Sequence, residues 1–277
     1  MSLALILLGQ QAIPDGGFFV PEAGPADTTT TATTTGFVYF GSNGKDGLEV
    51  LSNFHEAPIR LCQADVTARL AKRCPSLAMW QLALGGQVTF PSSEHAWQAL
   101  KAHSFRAFTD FTTEGRLGTL DAASVLPFMP AKLRLRGTAT EQQRWALGKA
   151  AFWAKKQNVG ILAKWAANKK YAKALGWTPG VDLYYGKETA NVGFDEMQAV
   201  WLDLLRLKYA QNTRCRDVLL ATGDSYLLEC VRGAVREPDT EFWGGCLDRT
   251  RDQIVGRNAM GRFHMALREE LRASRDV

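Results

Sequence analysis

The sequence predicts an α+β fold in which helices predominate and the strands form one small sheet. Short β-prone runs lie toward the amino end of the chain, of which Phe37-Val38-Tyr39-Phe40 is the first. Apolar residues at helical spacing dominate the remainder, most clearly over residues 195–210. This order of elements, with most of the strands first and helices after them, favours a single mixed domain with a mainly helical core.

Composition sets broad limits on partners and location. The 277 residues are 46% hydrophobic, enough to fill a core, and the net charge of +5 mildly favours anionic partners such as nucleotides or nucleic acid. The five cysteines are scattered and form no C-x-x-C pair, which predicts an intracellular protein, cytoplasmic or nuclear. The apolar run at residues 3–8 is too short to cross a bilayer, so no membrane association is expected.

The chain divides by composition near residue 35. Residues 9–35 are rich in Gly, Pro, Ala and Thr and offer little to a core, so residues 1–35 are predicted to form a flexible leader. Residues 36–277 are predicted to form the folded domain.

Turn and cap residues place the elements within this domain. The dipeptides Asn43-Gly44 and Asp46-Gly47 accept positive φ, so the first strand is predicted to form a hairpin with residues 48–51. A helix is predicted to begin at Ser92, whose hydroxyl suits a helix cap. Further strands are predicted at 59–62, 87–90 and 226–231, and further helices at 140–156, 159–175, 195–210, 213–221 and 259–271.

The helix that begins at Ser92 carries the strongest candidate chemistry. Glu94, Gln98 and Lys101 are spaced four and then three residues apart, so all three project from one side of a helix. Trp97 flanks them, and an aromatic wall beside a carboxylate and an amine can hold a ring and shift both pKa values by desolvation. A solvated helix face has the same spacing, and spacing alone favours that second interpretation.

Two other stretches combine residues that suit ligand binding. Trp243 precedes the paired glycines Gly244-Gly245, which let backbone N–H groups approach a ligand closely, and Asn258 at a helix start can orient a sugar or phosphate. The polar pair Ser52-Asn53 ends a predicted strand, where binding loops are common. An ordinary turn and an ordinary helix cap explain each feature equally well.

Several common catalytic motifs are missing from the sequence. It contains no G-x-x-x-x-G-K-[ST], no G-x-G-x-x-G and no H-E-x-x-H, which argues against P-loop, Rossmann and zincin chemistry. The four histidines lack metal-ligand spacing. We therefore expect neither a metal nor a cofactor.

Taken together and in this order, the segments resemble the NADAR superfamily (NAD and ADP-ribose), which includes the YbiA-like proteins. The most specific match is the S-E-H-x-x-Q-A-x-K run at residues 93–101, combined with Trp243-Gly244 and the G-x-N-x-x-G run at residues 256–261. The resemblance extends with gaps from Phe37 to Leu271. It implies the YbiA-like fold.

The resemblance implies an N-glycosidase. Removal of ADP-ribose from guanine, in DNA, RNA or free nucleotide, is the first expectation. Alternatives are hydrolysis of phosphoribosylamino intermediates of riboflavin synthesis and a non-catalytic module that binds ADP-ribose or NAD. In the catalytic role, Lys101 attacks the sugar C1 to form a Schiff base and Glu94 transfers protons; Lys101 could instead only pair with a phosphate. The substrate-binding residues implied are Asn53, Phe54, His95, Trp97, Gln98, Trp243, Gly244, Asp248 and Asn258.

The chain departs from the family pattern in three places. Trp177 stands where the family has an arginine, which removes one expected phosphate contact. Asp248 follows the W-G pair at a greater distance than the family's acid. A basic helical insertion is predicted at about residues 106–170, after a smaller one that follows Leu61, and the basic segment could contact nucleic acid.

Overall fold

The secondary structure is described for residues 36–41, 47–125, 128, 158–184, 194–229, 242–248 and 253–275, in a computed structural model. The strands are β1 (Phe37–Phe40), β2 (Ile59–Cys62), β3 (Gln87–Phe90), β4 (Tyr226–Glu229), β5 (Cys246–Asp248) and β6 (Gln253–Val255). The α-helices are α1 (Ala68–Arg73), α2 (Leu77–Ala83), α3 (Ser93–Ala99), α4 (Phe105–Asp110), α5 (Ala122–Val125), α6 (Gly160–Ala166), α7 (Phe194–Gln211), α8 (Thr213–Ala221) and α9 (Ala259–Ala273). Short 3₁₀ helices cover Leu48–Leu51, Gln63–Asp65 and Lys169–Leu175. The predicted α+β class with helices in excess is confirmed.

The strands form pairs rather than one sheet. Within the described ranges, β1 pairs with β4 in parallel, whereas β2 with β3 and β5 with β6 are antiparallel. Each pair needs cover because an isolated two-stranded ribbon is marginal in water. The first pair has that cover in α9, which packs against β4.

The hairpin predicted for the first strand is wrong. Residues 48–51 form a 3₁₀ helix instead, entered through Gly47 at a φ of 83°, and they bury Val50 and Leu51. The partner of β1 is β4, which lies far along the chain. Gly47 has the positive φ that its dipeptide predicted, while residues 42–46 lie outside the described ranges. The local signal could not reveal a strand partner so distant in sequence.

Helix α3 lies at the centre of the structure and is buried on every side. The Ser92 side chain accepts a hydrogen bond from the backbone N–H of His95, as predicted for a cap, and all seven residues from Ser93 to Ala99 are buried. The helix packs against α4, α6, α7 and β3. The solvated-face interpretation of Glu94 and Gln98 is therefore excluded.

The helix predicted at 195–210 is confirmed as α7, and it supplies much of the core. Its apolar face is fully buried, as the periodicity predicted, and consists of Met197, Val200, Trp201, Leu204 and Leu205. The helices predicted at 213–221 and 259–271 are also confirmed, as α8 and α9. The predicted strand at 226–231 is described up to Glu229 as β4.

The basic segment predicted as an insertion contributes to the core where it is described. Phe108 and Phe111, with Leu162 and Ala163 of α6, are all completely buried. The helix predicted at 159–175 is interrupted, because α6 ends at Ala166 and a 3₁₀ helix follows it. The predicted helix at 140–156 and the leader at 1–35 lie outside the described residues.

Trp177 has a structural role. Its side chain is buried, and its indole N–H donates to a carboxylate oxygen of Asp110 at 2.9 Å. Arg116 pairs with the same carboxylate, donating from Nε at 2.6 Å. Trp177 therefore anchors α4 to the chain after Leu175.

Helix α9 begins against the edge of β4 through Asn258. This residue adopts a left-handed conformation with a φ of 48°, which asparagine tolerates better than most side chains. Its Oδ1 accepts from the backbone N–H of Glu229 at 3.0 Å, and its Nδ2 donates to the carbonyl of Leu227 at 2.8 Å. The amide thus pairs with β4 as a neighbouring strand would.

Gly261 makes this close approach possible, and we expect Gly261→Ala to destabilise the chain. A Cβ there would overlap the carbonyl oxygen of Leu227 and the amide of Asn258. The free energy of unfolding should fall by about 2 kcal/mol or more, measured by urea denaturation. Gly36→Ala is the control, because a Cβ at Gly36 meets nothing within 4 Å. Equal stability of the two variants would contradict the packing described.

None of the helices in the described ranges is both long and apolar enough to span a bilayer.

Candidate active site

Glu94 is a buried acid held by its own helix. It lies one residue into α3, with only 7% of its surface exposed. The side-chain amide of Gln98, one turn later, donates from Nε2 to Glu94 Oε1 at 2.8 Å. The predicted proximity of these two side chains is thus observed, and it defines how the Gln98 amide is oriented.

Lys101 is buried beside the same helix, although the helix ends before it. Leu100 caps α3, and the backbone N–H of Lys101 donates to the Gln98 carbonyl at 3.0 Å in a tighter turn. Its side chain is 8% exposed, and Nζ lies 5.1 Å from the centre of the Trp97 ring. The amine is therefore held against an aromatic face and away from bulk water.

Three tryptophans form the aromatic wall of the site. Trp97 stacks on Trp201 of α7 at 4.8 Å between ring centres, and Trp243 meets Trp97 edge-on at 6.3 Å. Trp97 and Trp201 are buried, whereas Trp243 is half-buried and packs on Phe242 at 4.6 Å. Of the two tryptophans in the predicted substrate-binding set, Trp243 is the more exposed.

Two amide oxygens of the site are buried without a hydrogen-bond partner within the described part of the chain. They are Oδ1 of Asn53 and Oε1 of Gln98. Because the Gln98 NH₂ faces Glu94, its oxygen must face the other way. A buried acceptor that lacks a partner is costly, so both atoms are suited to accept hydrogen bonds from a ligand or from water.

Asn53 also connects the Ser52-Asn53 segment to α3, the helix that carries Glu94. The backbone N–H of Glu94 donates to the Asn53 carbonyl at 3.2 Å, and the Ser93 hydroxyl donates to the same oxygen. Phe54 follows, with Lys164 Nζ 5.3 Å from its ring centre. The structure therefore brings Asn53, Glu94 and Gln98 together and places Phe54 at the side of α6.

The fully buried side chain of Lys208 supports the segment that leads into Asn53. Nζ of Lys208 donates to the carbonyls of Leu51 at 3.2 Å and Ser52 at 3.0 Å. The ring of His264 lies between the Leu51 carbonyl, 2.9 Å from Nε2, and the Met260 carbonyl, 2.7 Å from Nδ1, and in its neutral form it donates to one of the two. Burial lowers the pKa of Lys208 to about 8. These contacts define the path of the chain just before Asn53.

His95 and Asn258, both in the predicted substrate-binding set, have side chains that are hydrogen-bonded within the protein. The His95 ring is completely buried between Ser92 Oγ at 2.9 Å and the Leu117 carbonyl at 2.8 Å. Because a carbonyl only accepts, Nε2 must carry the proton and the Ser92 hydroxyl must donate to Nδ1. The amide of Asn258 is likewise engaged by β4. Both side chains hold the fold together through these bonds, and their role in substrate binding stays a prediction.

The Trp243-Gly244 segment lies between the start of α9 and the aromatic wall. The carbonyl of Gly244 accepts from the backbone N–H of Asn258 at 3.0 Å, and Trp243 directly before it joins the aromatic wall. Asp248 lies in β5, but its side chain is outside the described part of the structure. Its predicted role stays a prediction.

Sequence reasoning missed three residues that the structure brings to the site. Arg73 at the end of α1 has its Cζ 5.1 Å from the centre of the Trp97 ring, Trp201 stacks on Trp97, and Lys208 supports the loop. Only Trp201 had a sequence signal, as part of the apolar face of α7. In the described ranges, no three His, Cys, Asp or Glu side chains form a cluster that could hold a metal ion.

Comparison with protein-family models, curated proteins and solved structures gives no match for this chain.

Proposed function

We propose that the protein is an N-glycosidase of the NADAR type, with the YbiA-like fold, that removes ADP-ribose from guanine. The observation that carries this proposal is the burial of an acid and an amine, Glu94 and Lys101, beside the Trp97 wall. Burial holds both groups in place beside this wall, and a positioned acid and amine are the groups that proton transfer and attack on a sugar C1 use.

The proposed reaction begins with opening of the ribose ring. The exocyclic N-glycoside becomes an imine at C1, and the Lys101 amine adds to that carbon. The guanine amine leaves with a proton, which forms a Schiff base between C1 and Lys101. Water then adds to C1, releases ADP-ribose and restores the lysine. Glu94 supplies and removes the protons in these steps, and one water is consumed overall.

The remaining residues bind the substrate in this proposal. The unpartnered oxygens of Asn53 and Gln98 accept hydrogen bonds from ribose hydroxyls, which are donors that a sugar offers in abundance. Trp243, which is only half-buried, stacks on a base. Phe54, Gly244 and Asp248 stay assigned to the substrate by their motif positions.

A product assay tests this function. The chain is incubated with ADP-ribosylated guanosine and, in parallel, with a phosphoribosylamino intermediate of riboflavin synthesis, and the products are identified by mass. We expect guanosine and ADP-ribose. Glu94→Gln should lower kcat by about 10²-fold to 10⁴-fold. Glu114→Gln, at an exposed glutamate, is the matched control and should retain full activity.

The other outcomes are equally informative. Cleavage of the riboflavin intermediate alone would replace the proposed substrate with that one. Tight binding of ADP-ribose in calorimetry without product from either substrate would identify a binding module and reject the enzyme.

A further inference from the structure

Arg73 is a second cation at the candidate site that no sequence motif marks. It is the last residue of α1, in the segment after Leu61 that lies outside the motifs of the family. Its side chain is half-buried, and its Cζ lies 5.1 Å from the centre of the Trp97 ring. The nearby Arg69, one turn earlier on the same helix, points elsewhere and approaches Asp203 at 3.7 Å.

Two cations therefore share one aromatic ring. Nζ of Lys101 lies at the same 5.1 Å from the ring centre, so the two positive charges are no more than about 10 Å apart. Like charges this close repel in a site that is partly shielded from water, and an anion held near them offsets that repulsion. Glu94 supplies one negative charge from the same helix as Trp97.

The two cations differ in what they can bind. A guanidinium is planar and presents paired donors that match two oxygens of a phosphate, whereas an amine offers a point charge. Arginine also stays charged at every pH at which a protein is folded. The half-buried Trp243 lies edge-on to Trp97 at 6.3 Å between ring centres, so its ring centre is no more than about 11 Å from the Arg73 guanidinium.

We propose that Arg73 forms a phosphate subsite that binds the pyrophosphate of the ligand beside the Trp97 wall. The subsite takes ligands of the class of nucleoside diphosphates and phosphorylated riboses. It deepens the proposed function and rests on it in one respect, namely that the phosphate belongs to the substrate of Lys101.

Calorimetry on the full chain tests the subsite without requiring turnover. The probes are ADP-ribose and inorganic pyrophosphate, and the variants are Arg73→Met, which keeps the aliphatic stem, and Arg69→Met as the matched control on the same helix. We expect Arg73→Met to weaken both probes at least tenfold and to reduce the salt dependence of binding. Arg69→Met should bind both within twofold of the wild type.

Arg73→Lys separates a phosphate contact from mere packing on Trp97. It keeps the charge but loses the paired donors, so we expect an intermediate loss of ADP-ribose affinity with an unchanged melting temperature. If Arg73→Met does not fold, this variant decides: wild-type affinity for both probes would overturn the proposal, and weakened affinity would support it.

The remaining outcomes distinguish the subsite from the enzyme. Equal binding by Arg73→Met and Arg69→Met, or no binding of either probe by the wild type, would overturn the subsite. Pyrophosphate binding that depends on Arg73 in a chain that cleaves no ADP-ribosylated guanosine would support the subsite and reject the proposed reaction.

Discussion

Replacing Lys101 with Met is expected to lower kcat at least about a thousandfold while the Kd for ADP-ribose changes little, because the proposed mechanism needs the amine for covalent chemistry. Met retains most of the aliphatic volume at a position that is only 8% exposed, so the fold should survive. Turnover is measured on ADP-ribosylated guanosine, and binding of ADP-ribose by calorimetry. In the wild type, borohydride should trap the sugar on the chain, with Lys101 carrying the added mass.

Lys101→Arg tests whether charge or nucleophilicity matters. Arginine keeps a cation over the Trp97 ring but cannot form the Schiff base at neutral pH. It should be as inactive as Lys101→Met and should give no borohydride adduct. If Lys101 only paired with a phosphate, Lys101→Arg would retain substantial activity and the main effect of Lys101→Met would be a higher KM. Lys169→Met, at an exposed lysine, is the control and should behave as the wild type.

Acid is expected to unfold the chain because two histidines are buried in their neutral form. Burial lowers the pKa of His95 to about 4 and that of His264 to about 4, from 6.5 in an exposed histidine. Between pH 6.5 and pH 4 the folded chain therefore binds fewer protons than the unfolded chain. The stabilisation is complete above pH 6.5 and is lost as the pH falls toward 4.

The expected size of this effect is large for a single domain. Each histidine contributes roughly 3 kcal/mol to the free energy of unfolding. Together they make this free energy fall by as much as about 2.7 kcal/mol for each pH unit between 6.5 and 4. Urea denaturation at a series of pH values measures the slope. A free energy of unfolding that does not change from pH 6.5 to 4.5 would contradict the burial of both rings.

Two histidine variants assign the slope to a residue. His95→Gln retains an amide that can donate to the Leu117 carbonyl but removes the titrating ring. The difference in bound protons between the unfolded and folded chain, which sets the slope, should therefore fall by about one. His103→Gln, at an exposed histidine, should keep the wild-type slope. Carboxylates contribute equally to both variants, so the difference between them isolates His95.

Much of the candidate site could be predicted from local spacing, because its central residues lie within eight positions of one another. Glu94 and Gln98 meet one turn apart on α3, and Lys101 lies against Trp97 at the next turn. The same local signal did not distinguish a ligand-facing side chain from one that holds the fold. His95 belongs to the same motif, yet its ring is directed at Ser92 and the Leu117 carbonyl.

The amino-acid sequence by itself determined the elements whose residues all lie close together along the chain. The apolar stripe of α7 and the Ser92 cap of α3 depend on helical periodicity and on one hydroxyl, which are local properties. The tertiary structure alone decided which distant residues meet. Lys208 supports Leu51 from 157 positions away, β4 rather than a hairpin pairs with β1, and Arg73 reaches Trp97 from another helix. Such pairings depend on how the whole core packs, because no local preference of a segment specifies which distant surface will bury it.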